Sequence, residues 1–190
     1  MITTTDISIE ALIRPETDLE ARIIRDEMWL NGAFWGKPRY GHPEGKVILH
    51  IREVLDNVDR CTDDPVVREQ LRLITIVHDT FKYLEDRSFP RKLSKHHAVI
   101  AYKFARGYLD HLPTLNTILL HDNAYYAWQS MVYNRQDIAD RLMDKVYNRM
   151  GKDMQLYYLF FKCDTLTGDK TLLPLEWFES TARGFQVVQF

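Results

Sequence analysis

Two cysteines in 190 residues, Cys61 and Cys163, are too few for a disulfide framework and fit a reducing compartment. No thiol-activating pattern surrounds either, so a cysteine nucleophile is not indicated. Long apolar runs are also missing. The longest, Leu156 to Phe161, is far short of the roughly 20 residues that a membrane-spanning helix requires. Gly/Ser linkers, repeats and low-complexity tracts are absent, which argues against a string of modules and for one domain across residues 1–190. Neither sign of charge dominates: 25 Lys and Arg against 27 Asp and Glu leave a net charge of -2, so a nucleic-acid or membrane surface is not indicated. The start, MITTTDISIEAL, lacks the basic and apolar segments of a signal peptide, and the expectation is a soluble, cytoplasmic protein. There is no phosphate-binding glycine loop and no serine nucleophile elbow.

What is present is an ordinary globular balance, 45% hydrophobic and 27% charged, with helical periodicity almost throughout. The spacing predicts helices over Asp18 to Leu30, Lys46 to Cys61, Pro65 to about Tyr83, Ser94 to about Leu109, Pro113 through His121 to Tyr133, Gln136 to Met150 and Asp153 to Thr165. The segment PLEWFEST adds a short one. Asp63 or Asp64 can cap the helix that Pro65 opens. Strand-like alternation is confined to the tail, Phe185 to Phe190. The expected fold is an all-α globular bundle, with a Gly- and Pro-rich loop, GAFWGKPRYGHPEG, before the Lys46 helix.

Several polar residues fall on the apolar faces of these helices. His50 lies between Val47 and Val54, His78 between Ile74 and Phe81, and His97 shares a face with Ile100, Ala101 and Phe104. His121 follows Ile118 at helical spacing, and Asp164 follows Phe160 and Phe161. One inward histidine is ordinarily a core residue bonded to a backbone carbonyl. Five helices that each turn such a group inward pose a larger problem, because an unpaired buried polar group costs roughly 2–7 kcal/mol. A shared metal centre satisfies them together, and imidazole with carboxylate suits Mn, Fe, Co, Ni or Zn. The dipeptide His78-Asp79 can straddle an ion, and its carboxylate can bridge two. A second His-Asp dipeptide, His121-Asp122, shows that the pair alone carries little specificity.

The order His50, His78-Asp79, Asp164 resembles the signature of the HD superfamily of metal-dependent phosphohydrolases. GHPEGKVILHIREVL is similar to the opening of the HD domain of bacterial CCA-adding enzymes, and TIVHDTFKY resembles the family's central helix. HAVIAYKFA and LLHDNAYYAW resemble the helices that supply second-metal histidines in dinuclear members, and FFKCDTLTGD the helix of the last aspartate. The resemblance covers about residues 40–170. It implies an HD-like helical bundle, with the N-terminal and C-terminal helices packed on that core. It further implies one or two divalent ions held by His50, His78, Asp79, His97, His121 and Asp164. Two positions depart from the pattern or leave it open. Phe81 stands where the family often has glycine before its lysine, here Lys82, and His96 competes with His97.

The chemistry so implied is hydrolysis of a small phosphorylated substrate, with a nucleotide expected. Asp79 would bridge the ions, and Lys82 would hold a non-bridging phosphate oxygen unless it is a plain surface lysine. Arg91 and Lys92, in a basic run with Lys95, could gather a phosphate or form a solvated loop. Arg39 and Tyr40, with Trp35, could cover a base or sugar or cap the core. The same ligand order serves HD proteins that use a diiron pair and O2 to oxidise C–H bonds, and a third possibility is a non-catalytic nucleotide sensor.

Overall fold

The structure, a computed structural model, describes residues 8–90 and 92–190. The described residues are all-α: helices connected by turns, with one isolated bridge between Arg39 and His42 and no sheet. None of their helices is long and apolar enough to cross a membrane.

The N-terminal segment holds α1 (Ile9–Ile13), α2 (Asp18–Ile23) and α3 (Glu27–Ala33). The expected single helix over Asp18 to Leu30 is therefore two. Asp26 accounts for the break, since its carboxylate accepts from the Met28 and Trp29 amides and starts a new helix. These helices are tied down by a buried ion pair, Glu20 with Arg72, whose guanidinium also donates to the Ile13 and Arg14 carbonyls.

The core begins with α4 (Val47–Cys61) and α5 (Pro65–Val77). Asp64, not Asp63, caps α5 by accepting from the Val66 and Val67 amides. The periodicity suggests that α5 runs on to Tyr83, but it stops at Val77 and a 3-10 helix follows, Thr80–Leu84. The Ile76 carbonyl, freed by that ending, accepts from both the Trp29 indole and the Thr80 hydroxyl at 2.8 Å. Packing here is close. A Cβ on Gly32 would sit 1.7 Å from the Thr80 carbonyl oxygen, so only glycine lets α3 lie against this turn.

Next come α6 (His97–Ala105), shorter than the expected Ser94 to Leu109, then α7 (Leu112–Leu120) and α8 (Asn123–Val132). The expected continuous helix from Pro113 to Tyr133 is broken at His121-Asp122. The break is stapled from across the core: the buried Tyr157 hydroxyl donates to the Leu120 carbonyl at 2.9 Å and accepts from the Ala124 amide at 3.1 Å. Helices α9 (Gln136–Met150), α10 (Met154–Thr165) and α11 (Leu173–Thr181) complete the fold. The tail, Phe185 to Phe190, forms no strand.

Helix α10 is buried on almost every side and packs on α4, α5, α7, α9 and α11, which makes it the central element. Its C-terminal end is fixed by Asn57 of α4, whose side-chain amide donates to the Cys163 and Leu166 carbonyls at 2.7 and 2.9 Å. That clamp holds Asp164 where α4, α5 and α10 meet.

Candidate metal centre

His78 is the C-cap of α5 and Asp79 lies beyond it, so the pair sits where a helix ends rather than within one. Through Nδ1, His78 bonds the Thr75 carbonyl at 2.9 Å, which leaves its Nε2 lone pair facing inward. His121 repeats the arrangement as the C-cap of α7, with Nδ1 2.8 Å from the Ile118 carbonyl. The other two histidines have carboxylates behind their rings: Glu44 lies 3.7 Å from Nδ1 of His50, and Glu85 lies 3.6 Å from Nδ1 of His97. All four buried imidazoles thus turn Nε2 toward one place, each with an acceptor near Nδ1 that can orient the ring, an arrangement common among metal-binding histidines.

Asp79 occupies the centre of that place. Its Oδ2 faces His50 and His78, at 3.8 and 3.6 Å from their Nε2 atoms. Its Oδ1 faces His97 and His121, at 3.6 and 3.4 Å. Asp164 joins the first group through Oδ1, 3.0 Å from His50 and 3.9 Å from His78. Two candidate ion sites result: His50, His78 and Asp164 on one side, and Asp79, His97 and His121 on the other, with donor atoms in each within 4.8 Å of one another. The structure therefore brings together all six residues expected from the sequence.

The donor set fits metal ions. Of nine buried side-chain polar atoms without a hydrogen-bond partner among the described residues, six belong to this centre or the carboxylates around it, including His50 Nε2, His78 Nε2, Asp79 Oδ1 and Asp122 Oδ2; a seventh, Glu44 Oε2, adjoins it. Such atoms are few in folded proteins and demand an explanation, and buried His and Asp groups of this geometry can hold a metal ion. The electrostatics differ between the two sides. Burial opposes charge on His78 and keeps it neutral, with its pKa pushed down to about 3. Burial works against the Asp79 carboxylate too, yet Lys82 and the surrounding histidines hold it well below the usual range. Burial opposes charge on His97 too, but the facing Asp122 and Glu85 carboxylates outweigh it and raise its pKa to about 9. An ion at that site would have to displace this proton.

Compared with family models, curated proteins and solved structures, the chain matches none.

The start of α6 gives His96 and His97 different surroundings. His96 is the N-cap, its Nδ1 accepting from the Ala98 amide at 3.2 Å, whereas His97 reaches the Asp79 and His121 side chains. Lys82 sits three residues after Asp79 on the 3-10 helix, where i and i+3 eclipse, and its ammonium pairs closely with Asp79 Oδ2. It faces the centre and is not a plain surface lysine.

A cavity of about 560 Å³ opens above these residues. Arg39 and Tyr40 line it, with Tyr40 79% exposed at the mouth, while Trp35 does not. Lys92, expected at the substrate site, is exposed on its loop and is not among the residues that line the cavity. Arg91 lies outside the described residues. Four lining or flanking residues were missed in the sequence. Glu44 and Glu85 carry no periodic signal because they stand on turns. Lys170, on the loop after α10 and six positions past Asp164, bonds the Asp164 carboxylate at 2.9 Å. Asp122 could have been found, since it completes the second His-Asp dipeptide.

Proposed function

We propose that this protein is a metal-dependent phosphohydrolase of the HD type, acting on a small phosphorylated substrate such as a nucleotide. The observation that carries the reading is the division of Asp79, whose two oxygens face two separate sets of imidazole nitrogens. One or two divalent transition ions, Mn, Fe, Co, Ni or Zn, would be held by His50, His78, Asp79 and Asp164 and by Asp79, His97 and His121. Bound there, they would supply positive charge against a phosphoryl group and acidify a water toward neutral pH.

The chain's own residues then have defined tasks. Lys82 and Lys170 reach the carboxylates from the cavity side and are placed to receive phosphate oxygens once those carboxylates turn to ions. Arg39 and Arg87 add positive charge to the lining, which suits an anion. Tyr125 and Tyr126 present aromatic wall to whatever organic group the phosphate carries. The volume is in the range of sites for small molecules.

The pairs of imidazole nitrogens also suit iron, which favours a second reading, oxidation of a C–H bond with O2 at a diiron pair. The test is a panel of nucleotides and phosphoesters assayed for released phosphate or cleaved product, with Mn, Co and Ni, in air and under anaerobic conditions. Metal-dependent hydrolysis without oxygen is the expected result. Turnover that needs iron and consumes oxygen would replace hydrolase by oxygenase. No turnover with metal bound would favour the nucleotide sensor.

A further inference from the structure

Asp122 stands on the wrong side of its histidines to be a mere orienting partner. The carboxylates that steady His50 and His97 lie behind the rings, near Nδ1. Asp122 instead lies on the Nε2 side: its Oδ2 is 3.1 Å from Nε2 of His97 and 3.6 Å from Nε2 of His121. Those two nitrogens are themselves 3.2 Å apart, and Asp79 Oδ1 is 3.6 and 3.4 Å from them. Around an ion with bonds of about 2.0–2.2 Å, neighbouring donor atoms fall about 2.8–3.1 Å apart in octahedral and about 3.3–3.6 Å apart in tetrahedral arrangement. The spacings observed match that shell to within a few tenths of an ångström.

We infer that Asp122 is a direct ligand of the second ion, completing a site of His97, His121, Asp79 and Asp122 for a divalent first-row transition metal. The inference rests on the metal-centre reading above and extends it. Without Asp122 the second site has three protein donors, whereas the first has His50, His78, Asp164 and the other oxygen of Asp79. With Asp122 the two sites match, two imidazoles and two carboxylate oxygens each. The chain builds both from one local device, a His-Asp dipeptide at a helix end. His78 and His121 each cap a helix and bond the carbonyl three residues back. Asp122 Oδ2 is buried and has no hydrogen-bond partner of its own, as expected of an atom reserved for an ion.

The experiment uses the full chain, stripped of metal and titrated with Co2+, with bound ions counted and the cobalt visible spectrum recorded. Wild type should take up two ions. Asp122→Asn should keep the first and bind the second at least about tenfold to a hundredfold more weakly, with loss of the second ion's spectral component, and Asp164→Asn should weaken the first instead. A folded Asp122→Asn protein that binds two ions as tightly as wild type, with the same spectrum, overturns the inference and leaves the metal centre standing. Wild type that takes up no cobalt removes both. Should Asp122→Asn fail to fold, a crystal structure of cobalt-loaded wild type decides. An Asp122 oxygen within bonding distance of the ion beside His97 and His121 supports the assignment, and one displaced from that ion, or no ion there, overturns it.

Discussion

The ammonium of Lys82 lies against Oδ2 of Asp79, the oxygen that also faces His50 and His78. A cation of the chain thus stands beside the carboxylate that an ion would claim. Removing it takes away a competing positive charge, so Lys82→Met should bind divalent metal at least as tightly as wild type. If Lys82 neutralises charge on a transferring phosphoryl group, turnover should fall by roughly two orders of magnitude. Metal titration alongside phosphate release checks both halves. A variant with weakened metal and unchanged turnover per ion would make Lys82 a structural residue.

Metal content gives the second prediction. Protein purified without chelator should carry one to two transition ions per chain, and His78→Ala with Asp79→Ala should lose most of it. An ion at a hundred times its dissociation constant stabilises the fold by about 2.7 kcal/mol. For a domain of this size that is about 5–10 °C in melting temperature. EDTA should therefore lower the melting point by about that much, and an unchanged melting curve would make these histidines ordinary core residues.

The third prediction concerns pH in the metal-free protein. His78 has a folded pKa of about 3, below its ordinary value, so the unfolded chain takes up a proton near pH 6.5 that the folded one refuses. Stability should fall as pH drops from about 6.5 toward 3. His97 has the opposite sign, with a folded pKa of about 9. Its contribution is fully present below about pH 6.5 and is lost as pH rises through about 9. Urea unfolding of the metal-free chain should therefore show a maximum near pH 6.5. Added Co2+ should raise the alkaline limb, because His97 gives up its proton to bind. A metal-free profile flat from pH 5 to 9 would contradict both assignments.

Tyr157 is the fourth. Its hydroxyl satisfies both sides of the break between α7 and α8. Tyr157→Phe leaves a buried carbonyl and amide without that partner and should cost about 1–3 kcal/mol in denaturant unfolding. Because the break positions His121, the same variant should weaken the second ion more than the first. Equal effects on both ions would mean that the hydroxyl acts only on global stability.

The all-α class, the positions of α4, α9 and α10, and the inward faces of His50, His97 and Asp164 follow from periodicity, because burial of one helix face needs only the order of apolar residues along the chain. That the six residues now found together belong to one place was legible from that periodicity together with the motif order. What periodicity cannot carry is where a helix stops when the reason lies elsewhere in the fold. The stretches through His78 and His121 read as continuous helices, yet both break beside a histidine because distant groups meet the freed backbone. Trp29 does so at Ile76, and Tyr157 does so at Leu120 and Ala124. Those breaks turn Asp79 and Asp122 toward the histidines, and only packing between segments far apart in sequence provides them. Lys170 and the choice between His96 and His97 belong to the same class. A loop residue six positions past Asp164, or one of two adjacent histidines, acquires its role from where the helix starts and ends in three dimensions, and a one-dimensional pattern holds no record of that.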